Sequence, residues 1–211
     1  MKPLAEHEVH LYYAEFTAEP VTGYLALLSP DEVERAARYR VEHARAQFIV
    51  TRGILRTLLG QYLDRPPAGI SFHFGPQGKP EVAGSAGLAF SVSHSGNWSA
   101  LAFARDCRLG IDIEHQRHIK EWEHIARNQF AASESAQVIA APEHLRDALF
   151  FRFWTRREAY AKALGVGIGD PQTTAIPHDW FAYVLQPRED YAGTLVANKP
   201  VRVSVHSGLA E

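Results

Sequence analysis

The chain has 211 residues, 46% of them hydrophobic and 22% charged, and its single cysteine, Cys107, excludes an internal disulfide and a CxxC metal knuckle. This is the composition of a globular protein with one large or two small domains, and a formal net charge of −2 argues against general nucleic-acid binding. No apolar run reaches ~18 residues and no signal-peptide pattern is present, so we expect a cytoplasmic protein without a membrane partner.

The first part of the chain is predicted to form a strand and two helices. Alternation over residues 8–16 predicts the strand, and a turn is expected at 20–23. Ser29 precedes a proline and two acids, which is the pattern of a helix N-cap with a capping box. A second helix is expected at about 42–62, before two prolines in 64–69 end it.

The middle of the chain is predicted to be β-structure, and long helices follow it. Each half thus offers a long helix and several strands, an echo too loose by itself to establish a duplication. The predicted strands are 70–74, 88–92, 98–104, 109–113, 180–185 and 201–206, and the predicted helices are 119–130, 133–140 and 142–164, the last with its exit at Gly165.

The stretch LGIDIE, residues 109–114, carries two acids on one face of a predicted strand. At about 3.3 Å per residue, Asp112 and Glu114 lie roughly 6.6 Å apart, with Ile111 and Ile113 on the opposite face. Like charges so close repel unless a cation lies between them. A solvated edge-strand face is the ordinary explanation, and a site for Mg²⁺, which prefers one or two carboxylates, waters and substrate phosphates, is the alternative.

Further acids and bases occur on the long third helix of this region. In RFWTRREAYAKALGVGI, residues 152–168, Glu158 is a candidate third carboxylate. It stands four residues before Lys162, which is also the spacing of an ordinary ion pair on a helix surface. The helix therefore offers either a metal ligand or a solvated pair.

Three more stretches could contact an anionic ligand. SVSHSG, residues 91–96, offers hydroxyls and His94 to a phosphate, although a packed histidine is the ordinary explanation and GxSxG is absent. GKP, residues 78–80, is most often a turn and is not a P-loop. The arginines at 35, 38, 40 and 45 could be a solvated helix face.

The order of these stretches is more specific than any one of them. An arginine-bearing helix, GKP, SxSHSG, GIDIE and W-T-x-R-E-A-x-x-K follow one another between residues 29 and 168. This order resembles the 4′-phosphopantetheinyl transferases of the long, surfactin-synthetase type, whose most diagnostic motifs are GIDIE and WTRREAYAK. The resemblance implies Mg²⁺-dependent transfer of phosphopantetheine from coenzyme A to a serine of an acyl or peptidyl carrier protein, releasing adenosine 3′,5′-bisphosphate.

The resemblance also implies roles for single residues. Attack on phosphorus needs charge neutralisation and in-line placement, which a metal and cationic side chains provide. Glu158 would act near the attacking hydroxyl, as a base or through a bound water. The implied metal ligands for Mg²⁺, or Mn²⁺ as the alternative, are Asp112, Glu114 and Glu158; the catalytic residues are Glu158, Lys162 and His94; and the coenzyme A contacts are Arg35, Arg45, Gly78, Lys79, Pro80, Ser93, His94 and Lys162.

Two positions depart from the family pattern. Arg157 stands where the helix motif usually has lysine, and because a guanidinium and an ammonium are not interchangeable, no catalytic role is expected of it. Gln47 occupies a position near the 3′-phosphate that is often basic, and Arg45 is a candidate substitute.

The implied fold is α+β, with two similar halves, residues 1–106 and 107–211, related by a pseudo-twofold in a monomer. Coenzyme A would lie in the cleft between them, and the second half would carry the metal site. Carrier docking is hypothesised on 119–130 and the following 131–134, where Lys120 and Arg127 could meet an acidic carrier.

Two other functions use the same features. A Mg²⁺-dependent nucleotide or pyrophosphate hydrolase would need the same three acids. A non-catalytic relative could bind only a carrier or a nucleotide, but a mere binder has no reason to keep three clustered carboxylates and Lys162.

Overall fold

The computed structural model of the protein describes residues 3–16, 21–85 and 87–206. Runs of helices and runs of strands follow one another, which is the α+β arrangement that the sequence predicts. The strands are β1 (Glu8–Glu15), β2 (Phe72–Phe74), β3 (Pro80–Val82), β4 (Leu88–Ser95), β5 (Trp98–Arg105), β6 (Leu109–His115), β7 (Phe181–Leu185), β8 (Tyr191–Ala197) and β9 (Arg202–His206). The α-helices are α1 (Val21–Leu25), α2 (Pro30–Ala37), α3 (Glu42–Leu63), α4 (Trp122–Gln129), α5 (Ala132–Ala140) and α6 (Glu143–Leu164).

Local sequence signals set the helix ends where they were strongest. Ser29 is the N-cap of α2, and its backbone N–H donates to the Glu32 carboxylate at 3.0 Å, as a capping box requires. Helix α6 ends at Gly165, whose φ of 76° is left-handed and favours glycine. Of the predicted turn at 20–23, Pro20 lies outside the described residues, and α1 begins at the next residue.

Two strands, β3 and β8, escape the sequence prediction. Strand β8 has the sequence YAGTLVA and is buried along almost its whole length, because Leu195 and Ala197 pack against the first sheet and Val196 packs against α6. A strand covered on both faces shows no alternation of polar and apolar residues. Strand β3 has only three residues, too few for a pattern.

The strands form two main sheets and a separate hairpin. The order of the first sheet is β4-β5-β1-β9, that of the second is β6-β8-β7, and β2 pairs with β3. Neighbours are antiparallel except β1 and β9, where Val9 lies opposite Val203 in a parallel pair. The last strand of the chain therefore joins the first sheet, and the division at residue 106 stays a prediction.

The two sheets face each other between two long helices. The core between the sheets holds Val9 and Leu11 of β1 together with Ile111 and Ile113 of β6. Helix α3 covers the outer face of the first sheet, and α6 covers that of the second. Both helices have 22 residues, so the two halves share one construction, a long helix on a mostly antiparallel sheet.

Among the helices of the described ranges, none combines the length and apolar character that crossing a membrane requires.

Candidate active site

Helix α6 lies directly against strand β6, and Gly110 permits this approach. A Cβ at Gly110 would collide with the carbonyl oxygen of Ala159 and would lie 2.5 Å from the backbone nitrogen of Ala163. Any side chain here would push the helix away from the strand. The glycine of LGIDIE therefore brings Glu158 and Lys162 of α6 over the acids of β6.

The two faces of β6 have the predicted difference in polarity. Ile111 and Ile113 are fully buried in the core between the sheets. Asp112, on the other face, is only 4% exposed, so it is not a solvated surface acid, whereas Glu114 remains partly exposed. Such a buried carboxylate needs partners, because removing a charge from water is costly.

Asp112 is held by a lysine and a serine. Its Oδ1 accepts hydrogen bonds from Lys162 Nζ at 2.7 Å and from Ser93 Oγ at 2.8 Å, and Lys162 Nζ also reaches Ser93 Oγ at 3.1 Å. Lys162 thus pairs across the two elements and not with Glu158 along its own helix. Oδ2 of Asp112 is buried and lacks a hydrogen-bond partner in the described part of the chain. Burial raises the pKa of Asp112 to about 6, although Lys162 and Ser93 oppose this.

Three serines of β4 join the two sheets. Because they alternate along the strand, all three point to β6, and each hydroxyl oxygen accepts a backbone N–H of that strand. The pairs are Ser91 with Ile111 at 3.1 Å, Ser93 with Ile113 at 3.2 Å, and Ser95 with His115 at 3.1 Å. The sequence predicts the hydroxyls of SVSHSG as possible phosphate contacts but not as hydrogen-bond partners of β6. The serine at every second position of this strand was the pattern that could have indicated it.

Glu158 and His94 belong to the same charged cluster. Burial raises the pKa of Glu158, Lys162 opposes the rise and Glu114 adds to it. His94 is exposed at the surface beside this cluster; partial desolvation and the ammonium of Lys162 lower the pKa of His94, whereas Glu114 opposes them. Lys162 and Glu114 thus act electrostatically on both Glu158 and His94, so the predicted catalytic residues belong to one group of interacting charges.

The three acids of the site supply the kind of ligand that the implied metal requires. Mg²⁺ prefers oxygen ligands, which Asp112, Glu114 and Glu158 supply, and the unpaired Oδ2 of Asp112 is a vacant donor. Among the described residues, however, no three potential ligands already lie close enough to hold an ion, and the Lys162 ammonium occupies Oδ1 of Asp112. The donor chemistry fits Mg²⁺, but its binding requires side-chain movement.

The GKP turn ties the β2–β3 hairpin to the second half of the molecule. Lys79 Nζ donates to the carbonyl oxygens of Leu109 at 3.1 Å and Lys162 at 2.7 Å, and burial lowers the pKa of Lys79 to about 8. Gly78 adopts a left-handed φ of 77° in the turn before Pro80. The ammonium of Lys79 is therefore engaged with the backbone.

Two adjoining cavities open beside this turn. Their volumes are about 430 and 230 Å³, and both are lined by Lys79, Pro80 and Phe90. Lys162 lines the smaller one, and Arg108 lines the larger. The volume of the larger cavity lies in the range that is typical of small-molecule sites.

The structure does not join the predicted arginines to the acid cluster. The Arg35 guanidinium lies 5.2 Å from the ring centre of Phe48, and Arg45 pairs with Glu42 at 3.3 Å. Gln47 donates from Nε2 to the carbonyl oxygen of Gly96 at 2.9 Å, so it fixes the turn after SVSHS. Roles of Arg35 and Arg45 in binding coenzyme A stay predictions.

Arg157 secures the loop that leaves α6. Its Nε donates to Thr173 Oγ1 at 3.1 Å, and Nη2 donates to the carbonyl oxygen of Ile168 at 2.6 Å. The residue is only 8% exposed. Arg157 therefore has a structural role, and the absence of a catalytic role stays a prediction.

The hypothesised docking segment, residues 119–134, contains α4 and the beginning of α5. Lys120 and Arg127 line an open hollow together with Glu121 and Glu123, and Arg127 pairs with Glu123 at 2.7 Å. This surface therefore mixes both signs of charge, and carrier docking on it stays a prediction.

Two family models match the chain in succession. Residues 17–106 match the one described as "4′-phosphopantetheinyl transferase, N-terminal", and residues 108–200 match the 4′-phosphopantetheinyl transferase superfamily. Among curated proteins, the 4′-phosphopantetheinyl transferase HetI of Nostoc sp. is 35% identical over 170 residues, which are 78% of this chain and 72% of HetI.

Other relatives are similar over shorter parts. A phosphopantetheinyl transferase of Thraustochytrium sp. is 31% identical over 158 residues, 67% of this chain and 54% of the relative. The 4′-phosphopantetheinyl transferase AcpT of Salmonella typhimurium is 36% identical over 110 residues, 52% of this chain and 56% of the relative. In these two alignments the chain spans little more than half of the relative's length.

Proposed function

Because the chain belongs to the 4′-phosphopantetheinyl transferase superfamily, we propose that it transfers the phosphopantetheine arm of coenzyme A to a serine of an acyl or peptidyl carrier protein. The observation that carries the proposal is the buried Asp112, held between Lys162 and Ser93 with one oxygen unpaired. Two matched halves in one chain support the long type of the family and a monomer.

The reaction exchanges one bond to phosphorus for another. The carrier serine Oγ bonds to the phosphorus that bears pantetheine, the bond from that phosphorus to the oxygen of adenosine 3′,5′-bisphosphate breaks, and the serine hydroxyl gives up its proton. Mg²⁺, held by Asp112, Glu114 and Glu158, would neutralise the pyrophosphate charge.

Glu158 is the proposed acceptor of the serine proton. Its carboxylate would take the proton directly or through a bound water, since a base must lie within hydrogen-bond reach of the proton that it removes. Glu158 also stands one helical turn from Lys162, so the proton acceptor and the cation would flank the reacting phosphorus.

Lys162 is the proposed cation for the leaving group. Its side chain is 31% exposed, so its ammonium faces the cleft while it pairs with Asp112. A positive charge there stabilises the negative charge that develops on the departing phosphate. The two cavities beside Lys79 would seat the nucleotide, with Ser93 and His94 on the pyrophosphate side.

Release of adenosine 3′,5′-bisphosphate from coenzyme A, with and without apo-carrier protein, tests this function. Carrier-dependent release in the presence of Mg²⁺ supports transfer. Cleavage of coenzyme A without a carrier favours the hydrolase, and no cleavage favours a binding protein. Asp112→Ala and Glu158→Gln should abolish release while Asp179→Asn, at an exposed acid, retains it; near-normal turnover in either of the first two variants refutes the metal assignment.

A further inference from the structure

The hydroxyl of Ser95 is fixed in direction by two hydrogen bonds. Ser95 Oγ accepts the backbone N–H of His115 at 3.1 Å and donates to Oε2 of Glu114 at 2.5 Å. Because the accepted bond occupies one lone pair, the hydroxyl proton is directed to the carboxylate. The hydrogen bonds from the β6 backbone to the three serines of β4 form the seam between the two sheets. Ser95 therefore links this seam to one acid of the site, Glu114.

The backbone of Ser95 is held as firmly as its side chain. The Tyr191 hydroxyl donates to the carbonyl oxygen of Ser95 at 3.1 Å. The next residue, Gly96, has a left-handed φ of 55°, and a Cβ there would lie 2.5 Å from the same hydroxyl oxygen. A rigid serine is a fixed point from which a longer, more mobile side chain can be oriented.

Glu114 is the acid that needs such orientation. The Asp112 side chain is 6% exposed and is held by two partners, whereas that of Glu114 is 23% exposed and has one more rotatable bond. Arg117 Nη1 lies 3.7 Å from the same oxygen and would draw a released carboxylate outwards. Without Ser95, Glu114 would turn towards Arg117 and solvent.

We propose that Ser95 is a positioning residue that holds the Glu114 carboxylate at the cleft for a divalent cation. This inference rests on the proposed function, in which Glu114 is a metal ligand. Hydrogen bonds to a ligating carboxylate fix its direction, and their loss typically weakens metal affinity by roughly 10–100-fold.

Ser91 supplies a matched control. It accepts a backbone N–H of the same strand at 3.1 Å, so Ser91→Ala and Ser95→Ala each remove one seam bond. Only Ser95→Ala also removes a bond to an acid. Ser95→Thr keeps the hydroxyl and should therefore keep the hydrogen bond to Glu114.

The test measures Mn²⁺ binding to the protein by the paramagnetic resonance signal of free Mn²⁺, with coenzyme A present and no carrier. We expect both alanine variants to lower the melting temperature similarly, and Ser95→Ala alone to weaken Mn²⁺ binding by roughly tenfold or more. Ser95→Thr should bind Mn²⁺ nearly as the wild type does. In transfer assays the half-saturating Mg²⁺ concentration of Ser95→Ala should rise by a similar factor.

Two outcomes overturn the inference and are distinguishable from each other. Equal Mn²⁺ affinity in Ser95→Ala, Ser91→Ala and the wild type leaves Ser95 as a seam contact only, with the proposed function intact. A wild-type protein that transfers phosphopantetheine without binding Mn²⁺ removes the metal assignment and the role of Ser95 with it.

Discussion

Asp112→Asn is expected to stabilise the metal-free protein at neutral pH while it abolishes transfer. Burial raises the pKa of Asp112 from 3.8 to about 6, which means that the folded state disfavours the charged form. A rise of this size corresponds to about 3 kcal/mol lost from folding when the group is ionised in both states. Asparagine removes that charge, although it leaves Lys162 without its partner, so we expect a net gain of about 1–3 kcal/mol.

The gain must depend on pH with a defined sign. Between pH 3.8 and about 6 the folded protein holds a proton on Asp112 that the unfolded chain releases, so wild-type stability falls as pH rises through this window. Below it both states are protonated and the wild type matches the variant. The advantage of asparagine should therefore be absent near pH ~4, grow as pH rises through this window and be complete above pH ~6.

The assay is urea unfolding in EDTA at pH values on both sides of this window, with Asp179→Asn as the control for loss of an exposed acid. Thermal unfolding of the same samples provides a second measurement: for a chain of this length, the expected gain raises the melting temperature by roughly 2–4 °C per kcal/mol. If Asp112→Asn is no more stable than Asp179→Asn at neutral pH, or if its effect is the same at both pH values, burial does not destabilise the ionised Asp112 as described above.

Three further substitutions test other parts of the site. Gly110→Ala should destabilise the protein by about 1–3 kcal/mol and greatly reduce transfer, because a methyl group would separate α6 from β6; a wild-type melting curve would contradict this. Arg157→Lys cannot make both bonds of the guanidinium, so residues 165–174 should be cleaved faster in limited proteolysis while Mn²⁺ affinity stays unchanged. Arg127→Glu should raise the KM for the carrier several-fold without altering coenzyme A binding. Arg38 is also an exposed arginine paired with a glutamate four residues earlier, so Arg38→Glu is the control and should leave this KM unchanged. Equal effects of the two substitutions would refute docking on α4.

Motifs and local alternation in the sequence predicted the family, the fold class and the buried face of β6. The superfamily, the enzyme class and the α+β fold of two halves are confirmed, and the alternation in LGIDIE predicted which residues enter the core. The spacing of Glu158 and Lys162 could not show that Lys162 pairs with Asp112, because that contact depends on how closely α6 approaches β6 at Gly110.

The interactions between the two halves of the molecule could not be predicted from the sequence. The place of Lys79 beside the nucleotide stays a prediction. The sequence could not show that its ammonium binds two backbone carbonyls, because their positions are set by tertiary packing. Strand β8 carried no alternation because both of its faces are covered. Such contacts emerge only when the two sheets are placed against each other.

The most direct test of phosphopantetheine transfer is the intact mass of an apo-carrier protein after incubation with this protein, coenzyme A and Mg²⁺, beside a sample with EDTA. The account predicts a metal-dependent gain of one phosphopantetheine group on the carrier serine. No gain on several acyl and peptidyl carriers, with coenzyme A either intact or hydrolysed, would contradict it.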